Sequence, residues 1–342
     1  MSTAETVGWL GTLDRHFAAA GIDIVERRVA LGGGALVLRS AGPRMLETLA
    51  PAFAHLPEPD RDAPSLVVNL WDSVDAPHSR PPLPHADGQP RGAVFYHEEG
   101  PVRIASQPGL QLLSAFDSST GEAWFWTESA NTLPFWESAA PLRQIFHWWL
   151  SGRGIGLLHG ASVGTPSGGV LLVGRGGSGK STSALSCLKS DLLYASDDYV
   201  AVSRSDDPWV YSLYSSGKLE PEQATRLPHL SIPALAGAPD EKVVFYVHEL
   251  FPNRTCEGFP LRAVLAPRIT GGDARMVPLP PAVALRALAP STLLQLHPAD
   301  AGAFAAMARL LRVVPAYTLE VGPKIEQIPA AIERFLSGQD GA

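Results

Sequence analysis

Gly174-Arg175-Gly176-Gly177-Ser178-Gly179-Lys180-Ser181 fits the pattern G-x-x-x-x-G-K-[ST], a phosphate-cradling loop. Glycines at these places let the backbone curl until successive N–H groups point inward at phosphate oxygens. In such a loop the lysine, Lys180, reaches the β- and γ-phosphates and the next hydroxyl, Ser181, coordinates Mg²⁺. The flanks agree with this reading. Gly168 to Val173 is a short apolar run after a turn signal, which predicts a buried strand. Ser181 to Lys189 is rich in Ser, Ala and Leu and free of Pro and Gly, which predicts a helix. Strand, glycine loop and helix start is also the order in which the helix dipole favours an anion. The expected nucleotide contacts are Gly174, Arg175, Gly176, Gly177, Ser178, Gly179, Lys180, Ser181 and Thr182. Arg175 is an extra cation inside the loop, facing either the γ-phosphate or solvent.

Two further features stand near the loop. Leu192 to Ser196 reads as a buried strand that ends at Asp197-Asp198, and Tyr199 to Val202 reads as the next. In open α/β sheets ligands sit beyond the carboxyl ends of parallel strands. Two carboxylates at that edge have two jobs beside a nucleotide: one holds Mg²⁺, the other takes a proton from an attacking hydroxyl. The plainer reading is a solvated strand-to-turn pair. His159 lies in the apolar segment 157–163, read as the strand before the loop strand. A lone histidine in an apolar strand is more often a core residue than a catalyst. Its spacing speaks for it: His159 precedes Lys180 by 21 residues (180 − 159), and Asp197 follows Lys180 by 17 (197 − 180).

A His-Gly pair, a phosphate loop and an Asp-Asp at a strand end, at these separations, resemble the catalytic domain of HPr kinase/phosphorylase. The resemblance covers residues 155–205 most clearly. That family phosphorylates a serine on a small carrier protein and is related in fold to ATP-dependent phosphoenolpyruvate carboxykinase. It implies that His159 sits by the transferred phosphate, that Asp198 is the general base and that Asp197 lies on the metal side. The Arg-Gly-containing signature of the bifunctional enzymes is not found in this chain, so phosphorolysis does not carry over. The segment from Pro278 to Leu294 looks more like diverged relatives, some of them similar to kinases of ribosomal peptide pathways, so the acceptor does not carry over either.

The remaining sequence sets the frame. A chain of 342 residues predicts two domains, and 45% hydrophobic against 18% charged residues predicts sizeable cores. A net charge of −7 argues against a nucleic-acid partner, and no basic run suggests a membrane surface. Neither a signal peptide nor a membrane span is recognisable, so a cytoplasmic, reduced setting is expected. Cys187 and Cys256 form no metal spacing, and Cys187 reads as a buried apolar residue. His78, His85 and His97 read as scattered surface histidines, because the prolines between the first two break any helix.

Residues 1–131 read as a smaller N-terminal α+β module, a candidate for substrate recognition, and 132–342 as the catalytic domain. Expected in the module are a hairpin of 22–25 and 35–38 around Gly32 to Gly34, a short helix at 45–50, a strand at 65–70, and an antiparallel meander of 93–96, 102–104 and 123–126. Residues 75–91 read as an exposed loop. The helix at 142–150, with Trp148 and Trp149, reads as the start of the catalytic domain and a packing seam. Beyond the Asp pair, strands are expected at 209–214, 243–247, 262–266 and 316–321, and helices at 281–289, 300–312 and 327–336. Lys218 reads either as a cation meeting a phosphate or acidic group, or as a surface lysine. The Pro/Ala segment 228–239 reads as a flap over the site.

The fold class expected is therefore α/β, an HPr-kinase/carboxykinase-like P-loop domain behind an α+β module. The function expected is an ATP- and Mg²⁺-dependent kinase acting on a Ser or Thr hydroxyl of a protein or peptide, with Lys180, Asp198 and His159 in catalysis and Ser181 and Asp197 on the metal. A homo-oligomer is left open as a state of assembly. Two rivals stand beside it: a regulatory NTPase, and a small-molecule or carboxykinase-like enzyme.

Overall fold

The structure is a computed structural model, and it describes residues 3–21, 23–74, 76–84, 93–220, 226–230, 242–298 and 301–339. The chain divides into two compact units, one of Met1–Phe53 with Pro57–Arg153 and one of Ala54–Leu56 with Gly154–Ala342. The break falls after Arg153, so the helices Phe135–Ala139 and Arg143–Gly152 group with the first unit, where the sequence reading gave them to the second. Their rings explain why. Trp148 packs against Tyr96, Trp149 lies against Gly34, and the Arg153 guanidinium stacks on Trp149.

The first unit holds β1 (Ile24–Leu31), β2 (Gly34–Ala41), β3 (Ser65–Asp72), β4 (Phe95–Glu99), β5 (Val102–Gln107), β6 (Leu112–Asp117) and β7 (Glu122–Thr127), in the order β1-β2-β3-β7-β6-β5-β4. The β1–β2 hairpin forms as its glycines predict. The meander differs from the expectation: β6 lies between β5 and β7, and β7 also runs parallel to β3. A helix unread in the sequence, Thr3–Ala20, buries Leu10, Leu13 and Phe17 against Trp71, Leu113, Trp124 and Trp126. Gly8 and Gly11 dilute its helical signal.

The second unit holds β8 (Ile155–His159), β9 (Ala161–Thr165), β10 (Gly168–Leu172), β11 (Leu193–Ser196), β12 (Tyr199–Ser203), β13 (Trp209–Tyr211), β14 (Ser216–Leu219), β15 (Val243–Tyr246), β16 (Gly258–Ile269), β17 (Arg275–Pro278) and β18 (Ala316–Val321). Nine of these form one mixed sheet along β11-β9-β10-β16-β13-β12-β8, with β18 on β16 and β17 on β18; β14 and β15 form a separate ribbon. The loop strand β10 is parallel to β16 and antiparallel to β9. Its side chains alternate between two cores, Val170 and Leu172 in one, Leu171 and Val173 in the other. Burial on both faces is why this strand reads as an unbroken apolar run. The first core is closed by Ala184 and Leu185 of helix Lys180–Ser186 and by Ile328 and Ile332 of helix Gln327–Leu336. The second is closed by Ala284 and Leu288 of helix Pro281–Leu293 and by Met307 and Leu311 of helix Ala301–Val313. Mixed α/β layering thus holds for this unit.

Two expected strands are interrupted. The segment 157–163 splits into β8 and β9 at Gly160, and pairing in 209–214 stops at Tyr211. In the second case residues 212–215 turn their hydrogen bonds elsewhere: Ser212 Oγ donates to the Ala195 carbonyl and Tyr214 N donates to Ser196 Oγ at 3.1 Å. The strand that precedes the Asp pair is thereby pinned from the side. Of the segment expected as a flap, 231–239 lies outside the described residues, as does His85.

Candidate functional site

The register of three strands brings the sequence features to one level. Leu172 pairs with Ala161 across β10 and β9, and Ser162 pairs with Ser196 across β9 and β11. The glycine loop leaves from just beyond Leu172, His159-Gly160 sits just before Ala161, and Asp197 follows Ser196. Both β10 and β11 run antiparallel to β9, so their carboxyl ends share an edge. On the far side β8 and β12 pair with Tyr199 opposite His159, and Gly160 N donates to the Asp198 carbonyl at 3.1 Å. Two neighbouring chains thus change partners at the same height, one at Gly160 and one at Asp197-Asp198. Gly160 is required there by close approach: a Cβ on it would stand 2.6 Å from the Leu172 carbonyl oxygen.

In the loop, Gly177 and Gly179 take left-handed φ values of 76° and 95°, conformations open to glycine at little cost. Lys180 is buried and folds back across the loop, donating from Nζ to the carbonyls of Gly174 at 2.8 Å and Arg175 at 3.3 Å. Burial lowers its pKa, while the carboxylates of Asp197 and Asp198 oppose that shift. The Arg175 side chain is exposed, and its carbonyl also accepts Ser178 N. The helix opened by Lys180 ends at Ser186 and passes into a tighter turn at Cys187–Lys189. Cys187 is buried there, with its thiol pushed up to about 12 by that burial.

The two aspartates differ in environment. Asp198 takes φ 70°, a left-handed conformation that asparagine and aspartate tolerate better than most residues and that costs on the order of 1–3 kcal/mol. Its Oδ2 accepts Lys218 Nζ at 2.5 Å, and its Oδ1 faces His159 Nε2 at 3.5 Å. Burial pushes this carboxyl up, but the Lys218 ammonium and then the hydrogen bond and charge of His159 outweigh it and hold it well below the usual carboxylate range. The His159 backbone N–H donates to Thr292 Oγ1 at 3.0 Å, and its ring packs edge-on to Tyr199. Its Nδ1 is buried without a hydrogen-bond partner, and Nε2 is the ring atom that faces Asp198.

Asp197 is almost fully buried. Its Oδ1 accepts Asp198 N at 2.8 Å, and its Oδ2 has no hydrogen-bond partner. Burial first, and the Asp198 charge second, raise its pKa, with Ser181 the first of the opposing influences. Carboxylate and hydroxyl oxygens are hard donors, the type that Mg²⁺ prefers. Among the described residues no group of three or more His, Cys, Asp or Glu could hold a metal ion. The oxygens that Asp197 and Ser181 could offer a cation are a carboxylate oxygen without a hydrogen-bond partner and a hydroxyl.

One cavity of about 170 Å³ is lined by His159, by Gly176 through Ser183, and by Asp197, Asp198 and Lys218. Of the residues expected to serve nucleotide, metal or catalysis, Gly174 and Arg175 alone are not on its lining. The cavity also has parts that the sequence reading missed. Glu220, Arg226 and Lys242 add charge, and Ile269, Val321, Ile325 and Ile328 form an apolar wall. Val321 ends the strand read at 316–321 and Ile328 falls in the helix read at 327–336, but nothing in the sequence tied either to the loop. No protein-family model matches the chain, and no curated protein matches it. Among solved structures, the HPr(Ser) kinase/phosphatase from Coxiella burnetii matches over 54% of this chain and 99% of that one, at 10% identity and a TM-score of 0.32. A likeness that slight adds nothing to the geometry above. No helix among the described residues is long and apolar enough to cross a membrane.

Proposed function

We propose that this chain is an ATP- and Mg²⁺-dependent phosphotransferase that moves the γ-phosphoryl group to a Ser or Thr hydroxyl of a protein or peptide. The observation that carries the reading is a single cavity holding the glycine loop with Lys180, the hard oxygen donors of Ser181 and Asp197, and a second carboxylate held by His159 and Lys218. The acceptor class rests on the resemblance of the His-Gly, loop and Asp-Asp pattern alone.

Loop amides and Lys180 would bind the triphosphate. Ser181 and Asp197 would hold Mg²⁺, which when bound neutralises phosphate charge. The acceptor oxygen forms a bond to the γ-phosphorus as the bond to the bridging oxygen breaks. That electron pair leaves on ADP, and the hydroxyl proton passes to the Asp198 carboxylate. A strongly depressed carboxylate is a weak base. It suffices here because a loose phosphoryl transition state asks mainly for positioning and charge neutralisation. His159 would orient the carboxylate through Oδ1.

The test is Asp198→Asn, which keeps shape and removes the base. Mg²⁺-ATP affinity should stay near wild type while transfer falls roughly 10²–10⁴-fold. Transfer at the wild-type rate would remove Asp198 from the mechanism.

A further inference from the structure

Lys218 enters the cavity from neither the loop nor the two strand breaks. It lies on β14, opposite Val244 of β15, and its side chain is only 12% exposed. Its ammonium makes the short contact to Asp198 Oδ2 while lining the same space as Gly176 through Ser183. With His159 on Oδ1, both oxygens of the carboxylate that would receive the proton are engaged. The tighter engagement is the one with Lys218.

One of these contacts has to open before a hydroxyl can approach. Asp198 itself is held at three points: its left-handed backbone, its N–H on Asp197 Oδ1, and its carbonyl on Gly160 N. His159 is fixed by its strand pairing and by Thr292. Lys218 is the partner with the longest reach, a point charge on a flexible four-carbon stem with three rotatable donors. A γ-phosphate between the loop and Asp198 offers it more negative charge than one carboxylate does, and an ammonium follows the denser charge.

We propose that Lys218 is a catalytic residue that exchanges partners, leaving Asp198 Oδ2 for a γ-phosphate oxygen when a nucleoside triphosphate binds. The exchange neutralises the group in flight and frees Oδ2 for the acceptor's proton. No covalent bond changes in it; one ion pair replaces another. The inference rests on the phosphotransferase reading. It adds that the γ-phosphate, rather than the acceptor, unmasks the base, and that Lys218 rather than the loop supplies much of the preference for a triphosphate over a diphosphate.

The test needs no acceptor. Calorimetry on the full chain measures affinity for Mg²⁺-ADP and for Mg²⁺ with the β,γ-imido analogue of ATP. Wild type should bind the analogue more tightly. Lys218→Met should cut that ratio by about tenfold or more, the worth of one charge-assisted contact, and leave ADP affinity within about twofold. Lys218→Arg, which keeps charge and reach, should restore most of the ratio. A residue that merely held Asp198 in place would weaken both nucleotides alike or neither. An unchanged ratio in Lys218→Met, or equal weakening of both nucleotides, overturns the proposal. If the methionine variant fails to fold, Lys218→Gln repeats the measurement with a polar partner kept on Asp198, and a full ratio there overturns it equally. Failure of wild type to bind either nucleotide would instead overturn the phosphotransferase reading itself.

Discussion

At residue 197 the protein carries a carboxylate whose burial opposes its ionisation. Asp197 Oδ2 is buried without a hydrogen-bond partner, and burial and the Asp198 charge raise the group above its ordinary value of 3.8. The sign follows. A carboxyl whose folded pKa is raised binds its proton more tightly in the folded state, so ionising it as pH climbs past the ordinary value destabilises the fold. Asp198 has the opposite sign: its pKa is lowered, so it contributes stability above the ordinary value and loses it as pH falls through the depressed one. Asp197→Asn should therefore stabilise the Mg²⁺-free protein at neutral pH, by about 1 kcal/mol, which is roughly 2–4 °C in the melting of a unit this size. The same variant should lose the Mg²⁺ dependence of nucleotide binding. A lower melting temperature in scans without metal would show that Asp197 is structurally satisfied and not a vacant ligand. The aspartate pair was legible in the sequence because it ends a buried strand next to a phosphate loop. The division of charge within it was not, since that depends on Lys218, which lies on a separate two-stranded ribbon.

At the scale of the element, the site is made by two chains that break their pairing side by side. The loop strand was legible because residues 170–173 are apolar on both faces, and both faces are buried. The break at Gly160 was not legible, because apolar residues continue on either side of it and periodicity alone carries straight through. Strand β6 escaped for a related reason: its partners on both sides lie in the same meander, and nothing local marked it off. Gly160→Ala tests the geometry at the break. The added methyl meets the Leu172 carbonyl at 2.6 Å, and backbone cannot swing aside as a side chain can. Overpacking of this kind costs about 1–3 kcal/mol. Because it separates the loop strand from the Asp pair, transfer should fall by about 10²-fold or more, well beyond the change in nucleotide affinity. Stability and transfer both near wild type would mean that the two strands are free to part without consequence for the site.

At the scale of the whole molecule, the two compact units divide the expected labour. Every residue assigned a role above lies in the second unit. The role proposed for the first is acceptor selection, since remote contacts can supply specificity that a small general site lacks. A fragment beginning at Gly154 omits His55, whose Nε2 lies 2.7 Å from Ser212 Oγ, the hydroxyl that holds Ala195 beside the Asp pair. That fragment should melt lower than the full chain and still be stabilised by Mg²⁺-ATP, and its kcat/KM for a protein acceptor should fall steeply. An unchanged kcat/KM would reduce the first unit to a folding partner. The most direct test of the central claim compares ATP labelled at the γ-phosphate with ATP labelled at the α-phosphate, incubated with the full chain, Mg²⁺ and cell extract. The account predicts covalent label on a protein or peptide from the γ-position only, present with wild type and lost with Asp198→Asn. Release of the γ-label solely as inorganic phosphate, equally by both proteins, would contradict it.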